Sequence, residues 1–246
     1  KPYETHTFYD EMLDGETPRV HYIPFYQRLQ RFTENQLLEK HKEAQSSFLR
    51  QGITFTVYGA EGGTERTMPF DFVPIVIPEQ NWNQIEEGMK QRVEALNLFL
   101  HDVYHEQEIV KAGIVPKDLI DNNPYYYKQV IGAKIPLHNH IFLAGIDLIR
   151  DEHGEYRVLE DNLRNPSGMS YVYQNRYVMR KVYPEFFKYY VIETLEEQIE
   201  HLKAALFSHR PNNLHEREEL HAVLLTAGIY NSAYYDHVFL AKQMNI

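Results

Sequence analysis

The sequence predicts an α+β fold in which a mixed sheet packs against long amphipathic helices, followed by the start of a doubly wound α/β domain. Three stretches lead to this prediction. Residues 141–159 contain two β-favouring runs separated by a short polar turn. Residues 78–107 repeat apolar side chains at steps of three and four, which is typical of a long amphipathic helix. Residues 220–246 place an apolar run before a helical one, as in the first β-α step of a doubly wound sheet.

The composition limits the class of protein. Of the 246 residues, 43% are hydrophobic and 24% are charged, which is typical of a soluble globular chain. No apolar run reaches the roughly 18 residues of a membrane-spanning helix, and there is no cysteine to form a disulfide or bind zinc. The net charge of −10 argues against a nucleic-acid partner. We therefore expect a cytoplasmic protein with neither a nucleic-acid nor a membrane partner.

Two helices are predicted near the N-terminus. Residues 21–32 have apolar side chains at helical spacing. Thr33 and Gln36 form a capping-box pattern that begins a second helix, and Gly52 is a typical residue to end it.

A glycine-rich turn follows the second helix. Residues 53–59 alternate as a strand, the glycines of residues 59–63 form the turn, and residues 68–77 resume extended structure. Backbone N–H groups of such a turn could bind a phosphate, although a plain hairpin turn is the simpler interpretation because no helix follows it. Arg66, at the exit of the turn, is either a surface arginine or the cation that binds an anionic cofactor.

The long helix begins after Pro78 and runs towards Gln107. We interpret its apolar face as core. The residues of that face are Trp82, Ile85, Met89, Val93, Leu96 and Leu100. A short helix is predicted at residues 116–120.

Two further helices are predicted after the hairpin, at residues 170–187 and 193–207, with Ser170 as the N-cap of the first. The polar residues 210–219 are the best candidate for a linker. They separate a large domain, residues 1–209, from residues 220–246.

The last segment reads as one β-α unit. Residues 221–227 are predicted to form a buried strand, and the pair Asn231 and Ser232 caps a helix that runs to Gln243. A single β-α unit cannot bury its own faces. We therefore hypothesise that the sequence is the N-terminal part of a longer polypeptide.

The hairpin carries the most informative side chains. If His153 and Gly154 form the whole loop, Asp147 lies directly opposite Glu160, with Cβ atoms about 5 Å apart. Asn162 shares their face, because side chains of a strand alternate between its faces. A three-residue loop would shift the pairing by about one position.

These three side chains form an oxygen-rich cluster. Two unpaired facing carboxylates repel each other, so one of them would take up a proton. A hard divalent cation removes the conflict, and magnesium prefers a few protein carboxylates together with substrate phosphates. The alternative is an ordinary solvated face of a hairpin.

The order Asp147, Glu160-x-Asn162 and then Pro-Ser-Gly resembles the metal-binding hairpin of ATP-grasp ligases, in the D-alanine–D-alanine ligase and glutathionylspermidine synthase branches. The longer string VLEDNLRNPSGMSYVYQNR, at residues 158–176, is similar to the circularly permuted type 2 ATP-grasp family. Four other stretches resemble the same family: residues 52–66, 69–78, 91–107 and 226–244. The resemblance spans nearly the whole chain.

The resemblance implies an ATP-dependent carboxylate–amine ligase that works through an acyl phosphate and uses ATP and two magnesium ions. It implies that Glu160 bridges both ions, while Asp147 binds one and Asn162 the other. The implied substrates are a small-molecule or peptide carboxylate and an amine. In the permuted order the ATP-clamping subdomain comes last, and the sequence shows no candidate for it. The chain alone is therefore expected to hold the catalytic carboxylates, to bind ATP weakly or not at all, and to be inactive by itself.

Three more residues become candidates through the resemblance. Arg164 could donate to the transferred phosphoryl group, and Ser167 and Gly168 could shape the substrate loop beside the metals. Relatives often carry an arginine two residues before the first aspartate, where this chain has Gly145. Either Arg164 or a residue outside this chain takes that role.

Other residues near the motif have no role that their spacing fixes. Arg92 and Asn97 match the family string and could face the site or pack away from it. Asp161 is expected on the opposite face of its strand, as a surface or supporting acid.

Two other functions remain open. A non-catalytic module derived from the ATP-grasp fold would bind a peptide or another partner. A metal-dependent hydrolase would use the same carboxylates with His138 or His140 as the general base. These two histidines share a face and could ligate a metal, but the sequence places no third nitrogen or sulfur ligand nearby, so a structural pair is favoured.

Overall fold

The computed structural model describes residues 7–59, 62–67, 69–210 and 220–246, and the side chains of all of these except 54–59 and 62–67. The chain divides into two compact units. Unit 1 comprises Lys1–Ile77, Ser167–Ser208 and Glu219–Ile246, and unit 2 comprises Pro78–Pro166 and His209–Glu218. The predicted linker, apart from Arg210, lies outside the described residues.

The described residues form short strands and mostly longer helices. The strands are β1 (Leu13–Asp14), β2 (Thr17–Pro18), β3 (Thr54–Gly59), β4 (Gly62–Thr67), β5 (Gly145–Arg150) and β6 (Tyr156–Asn162). The helices are α1 (Ile23–Leu29), α2 (Glu34–Arg50), α3 (Glu79–Tyr104), α4 (Glu108–Lys111), α5 (Lys117–Asp121), α6 (Met169–Val182), α7 (Glu196–Ser208) and α8 (Tyr234–Met244). In the described part of the chain, the strands pair as three antiparallel hairpins, β1–β2, β3–β4 and β5–β6. The α+β class is confirmed, but these hairpins do not join into the predicted mixed sheet.

Among the residues that the structure describes, no helix is both long and apolar enough to cross a membrane.

Unit 1 has a core where α2 packs against α6. Its buried side chains are Tyr22, Phe25, Ala44, Phe48, Ile53, Val178, Met179, Val182, Tyr183 and Phe186. The rings of Tyr183 and Phe186 stack with centroids 5.1 Å apart. A smaller cluster of Ile199, Leu240 and Met244 joins α7 to α8.

Local signals place the ends of α2 correctly. Thr33 Oγ1 accepts a hydrogen bond from the backbone N–H of Gln36 at 3.3 Å, and Gln36 Oε1 accepts one from the backbone N–H of Thr33 at 2.9 Å. The predicted capping box is therefore confirmed. Gly52 lies just beyond the helix with φ of +64°, a left-handed conformation that glycine adopts without strain.

The predicted glycine turn is shorter than expected. Gly59 pairs with Gly62, so the glycines at 62 and 63 belong to β4 rather than to the turn. Met68, which begins the predicted extended stretch, lies outside the described residues, and residues 69–77 form no strand. They are held instead by Tyr22, whose hydroxyl donates to the Pro74 carbonyl at 2.9 Å and accepts from the Val76 N–H at 2.7 Å. Burial raises the pKa of Tyr22 to about 12.

The predicted strand at residues 221–227 does not form. Val223 is 77% exposed and Leu225 is 89% exposed. A strand requires a neighbouring backbone for its hydrogen bonds, and no other described segment pairs with these residues. The prediction of a buried strand at residues 221–227 is therefore wrong for this structure. The doubly wound unit needs further strands, so it stays a prediction.

The helix after this segment begins later than predicted. Ala233, rather than Asn231, is the N-cap residue of α8. Asn231 Oδ1 accepts a hydrogen bond from the Ala233 N–H at 2.9 Å, which closes a turn before the helix.

In unit 2, α3 begins after Pro78 as predicted, but its apolar face is not a closed core. Trp82 is 50% exposed, and Val103 is the fully buried residue of α3. The face borders a groove of about 1130 Å³, which Trp82, Ile85, Met89 and Val93 line together with Leu137, Ala144, Ile146 and Leu148. Helical spacing correctly predicted an apolar stripe, but spacing alone does not show what covers it.

The β5–β6 hairpin has the predicted pairing but not the predicted loop. Asp147 lies opposite Glu160, and Gly145 lies opposite Asn162. The ladder ends at Arg150 and Tyr156, so the turn contains five residues rather than two. The register shifts between Asp147 and Leu148, where β6 contains one extra residue, Leu159. This β-bulge restores the pairing that a two-residue loop would have produced.

Gly145 is fixed by close packing. A Cβ atom at this position would lie 2.7 Å from Cβ of Pro166, far inside van der Waals contact. The arginine that relatives often carry here could therefore not fit beside Pro166 without movement of the backbone.

We predict that Gly145→Ala destabilises unit 2 by about 1–3 kcal/mol, because the added methyl group overlaps Pro166. The single tryptophan, Trp82, lies in unit 2, so its fluorescence can follow guanidinium unfolding of this unit.

Gly88→Ala is the matched control. Gly88 lies inside α3, and a methyl group added there would have no neighbouring atom within 4 Å. Alanine is therefore expected to add about 1 kcal/mol of stability through helix propensity. Equal unfolding midpoints for Gly145→Ala and the native protein would contradict the steric argument.

Candidate functional site

The structure brings three of the predicted site residues together on one face of the β5–β6 hairpin. Asn162 Nδ2 donates hydrogen bonds to Glu160 Oε1 at 3.1 Å and to Asp147 Oδ2 at 3.4 Å. All three side chains are exposed. The amide therefore lies against both carboxylates, as the strand alternation predicts.

The two carboxyl groups perturb each other's pKa. A hydrogen bond with Glu160, helped by partial desolvation and by the charge of Glu160, raises the pKa of Asp147. The hydrogen bond from Asn162, together with that from Asp147, lowers the pKa of Glu160. The pKa values of the two acids are thus moved in opposite directions by their proximity, and a cation placed between them would neutralise both groups.

The donor set is made of oxygen atoms, which suits magnesium better than a softer metal. In the described ranges no group of three or more His, Cys, Asp or Glu is arranged to hold a metal ion. The hairpin offers two carboxylates and an amide. A magnesium ion that also binds substrate phosphates and water needs few protein ligands.

Asp161 lies on the opposite face of β6 and joins the hairpin to α3. Arg92 Nε and Nη2 donate to its two carboxylate oxygens, both at 2.7 Å. This forked pair lowers the pKa of Asp161. Arg92 therefore supports β6 from behind, rather than facing the carboxylate cluster.

Asn97 supports the other strand. Its Oδ1 accepts hydrogen bonds from the backbone N–H groups of His140 and Ile141, at 2.8 and 3.0 Å. It thus fixes the backbone that leads into β5, the strand that carries Asp147.

The two candidate cations are placed differently. Arg164 Nη2 donates to the Tyr127 hydroxyl at 3.3 Å, and its guanidinium lies 5.7 Å from the ring centroid of Tyr125. These contacts hold Arg164 beside the two tyrosines. Arg66 lies in β4 opposite Phe55. Its side chain is not among those that the structure describes.

Ser167 and Gly168 belong to unit 1, at the start of α6. Gly168 is the N-cap residue, with φ of +111°. The predicted cap, Ser170, instead lies inside the helix and is fully buried. The cap is supplied by Asp236 of α8, whose oxygens accept from the Gly168 N–H at 3.1 Å and the Ser170 N–H at 2.7 Å.

Asp236 was missed by sequence reasoning because it acts across 66 residues of chain. In the structure its side chain is 2% exposed. The signal that the sequence offers is an aspartate in the first turn of an otherwise mostly apolar helix, because a buried carboxylate needs hydrogen-bond donors.

We predict that Asp236→Asn lowers stability by about 1–3 kcal/mol, because an amide can satisfy only one of the two buried N–H groups. Thermal unfolding by far-UV circular dichroism would measure the loss. Asp118→Asn, on an exposed position of α5, makes the same chemical change and is expected to leave the midpoint within error. A similar midpoint for all three proteins would show that the cap contributes little.

Comparison with known proteins identifies several relatives of this chain. A protein of Synechocystis sp. described as uncharacterised is 40% identical over 245 residues, which cover 99% of this chain and 50% of its own length. An uncharacterised protein of Mycobacterium tuberculosis is 39% identical over 239 residues, covering 97% of this chain and 42% of its own. The chain thus spans about half or less of the length of these curated relatives.

A more distant relative has a functional name. A protein of Frankia alni named "Putative glutamate--cysteine ligase 2-3" is 35% identical over 241 residues, which cover 97% of this chain and 27% of its own length.

One family model matches residues 74–246, which include the hairpin, α3 and the Asp236 cap. Its description, circularly permuted ATP-grasp type 2, is the family that the hairpin motif resembled. The chain therefore belongs to the circularly permuted ATP-grasp type 2 family.

Proposed function

We propose that this chain carries the magnesium-binding half of the active site of an ATP-dependent carboxylate–amine ligase. The observation that carries the proposal is the pairing of Asp147 with Glu160 on a hairpin face that also holds Asn162, in a chain of the ATP-grasp family. An ATP-dependent ligase is the activity that the family and the name of the Frankia relative support.

The three residues fit magnesium by their chemistry. Glu160 is the proposed ligand that bridges two ions, and its contacts with both Asp147 and Asn162 support this role. Asp147 would bind one ion and Asn162 Oδ1 the other, after the amide turns its oxygen towards the metal. When bound, the ions neutralise the phosphate oxygens of ATP and hold the γ-phosphoryl group in line.

The proposed reaction makes an amide in two steps. A carboxylate oxygen of the acid attacks the γ-phosphorus of ATP, the bond to ADP breaks, and an acyl phosphate forms. The amine nitrogen then attacks the acyl carbon, inorganic phosphate leaves, and the nitrogen loses a proton. Charge neutralisation and alignment contribute more to such transfers than a protein base does.

Other residues of the chain have supporting roles in this proposal. Arg164 would swing from the two tyrosines to donate to the transferred phosphoryl group, and Arg66 would bind phosphate oxygens of ATP. The backbone at Ser167 and Gly168, held by Asp236, would shape the loop that receives the acid.

The substrates proposed for testing are amino acids. The Frankia relative is named for the joining of glutamate to cysteine, which supports an amino-acid carboxylate and an amino-acid amine as the first candidates.

The hydrolase alternative is less well supported. It requires His138 or His140 as a base beside the carboxylates, whereas His140 Nε2 lies 3.4 Å from His101 Nδ1 and its ring lies among other imidazoles. Burial and these neighbouring imidazoles lower the pKa of His140.

The test is release of ADP by the full-length protein with magnesium-ATP and pooled amino acids. We expect turnover that requires both an acid and an amine, and a fall of about 100-fold or more in kcat/KM for Glu160→Gln, because the bridging carboxylate is lost.

Glu155→Gln is the matched control, since Glu155 is exposed in the turn of the same hairpin. It is expected to keep native activity. ADP release that needs no amine would contradict the ligase, and a native protein that neither binds nor turns over ATP would favour the non-catalytic module.

A further inference from the structure

Four imidazoles of unit 2 lie together away from the carboxylate face. His101 and His105 come from the C-terminal end of α3, and His138 and His140 come from the segment before β5. The ring centroid of His101 lies 4.1 Å from that of His105, 5.3 Å from that of His138 and 5.6 Å from that of His140. The centroids of His105 and His140 are 6.4 Å apart.

One pair already has the spacing of two metal ligands. Two nitrogens that bind one tetrahedral zinc ion at about 2.0–2.1 Å lie roughly 3.4 Å apart. His140 Nε2 and His101 Nδ1 are separated by 3.4 Å. An N–H donor normally approaches its acceptor to about 2.7–3.2 Å, so this distance fits two ligands better than a good hydrogen bond.

His105 stacks on His101 and positions that ring. The two ring planes are 25° apart, with centroids 4.1 Å apart, and Nδ1–H of His105 donates to the carbonyl oxygen of His101 at 2.8 Å. A lone pair of an imidazole lies in the plane of its ring, so two rings stacked in this way cannot both bind one ion. His105 is therefore a neighbour that orients His101 and not itself a ligand.

The backbone around His138 and His140 has an unusual conformation. Leu137 and His138 have φ of 56° and 52°, a left-handed conformation that costs free energy for residues with a Cβ atom. Asn97 holds the backbone N–H of His140. The segment is thus kept in a strained path that brings both imidazoles to the end of α3.

We propose that His101, His138 and His140, with water as a fourth ligand, form a binding site for one zinc-class divalent ion that joins the end of α3 to the segment leading into β5. Imidazole nitrogens favour zinc, cobalt, nickel or copper over magnesium, whereas the hairpin carboxylates favour magnesium. The rings do not yet converge, since in the described ranges no group of three such residues is arranged around one point. In the proposed site His138, which is exposed, rotates about its side-chain bonds when the ion binds, while His101 and His140 move little.

The test is a titration of the purified, metal-free protein with Co²⁺, followed by displacement with Zn²⁺. Tetrahedral nitrogen ligation gives Co²⁺ visible absorption bands that are much more intense than those of octahedral Co²⁺ bound by carboxylates and water. We expect one ion per chain to give these intense bands, loss of the bands when zinc is added, and affinity at least about 10-fold weaker in His101→Gln and in His138→Gln.

Two control variants distinguish this site from an exposed histidine and from the hairpin carboxylates. His153→Gln removes an exposed histidine from the hairpin turn, and Glu160→Gln removes a hairpin carboxylate. Both are expected to develop the intense Co²⁺ bands with native affinity. The exposed His138 can be replaced without touching the core, so His138→Gln serves if His101→Gln fails to fold.

Several outcomes would overturn the proposal. Absence of the intense Co²⁺ bands from the native protein would show that it has no such site, whatever the variants do. Native affinity in both His101→Gln and His138→Gln would exclude these rings as ligands. Binding that is lost in Glu160→Gln but kept in His101→Gln would place the ion on the carboxylates, and would leave the ligase proposal intact.

Discussion

The register of the β5–β6 hairpin controls the candidate site, because a shift by one residue sends each side chain of a strand to the other face. With its five-residue turn alone, the ladder would place Leu159 opposite Asp147. The bulge at Leu159 moves the pairing by one, so Glu160 takes that place and Leu159 is left 63% exposed. The two carboxylates therefore face each other only because the turn and the bulge compensate.

Features that depend on local chemistry could be predicted from the sequence. The Thr33 capping box and the start of α3 after Pro78 follow from contacts within one helical turn. The facing of Asp147 and Glu160 was also predicted, although by way of a loop that is too short. A bulge leaves no mark on the alternation pattern, since Leu159 reads as an ordinary strand residue.

Features that depend on distant partners could not be predicted. Nothing near α6 shows that Asp236 caps it, because that aspartate lies on another helix. The apolar stripe around Trp82 has helical spacing whether or not another element covers it. Residues 221–227 have strand-like composition, but strand formation depends on a neighbouring backbone that composition does not encode.

Both strands of the hairpin are fastened to the same helix. Arg92 of α3 holds Asp161, which lies between Glu160 and Asn162 in the chain, and Asn97 of α3 holds the backbone that leads to Asp147. The two strands that carry the opposing carboxylates are thus both anchored to α3, by residues five positions apart. Substitutions at Arg92 or Asn97 would therefore change how the carboxylate cluster is supported while leaving the acids themselves unchanged.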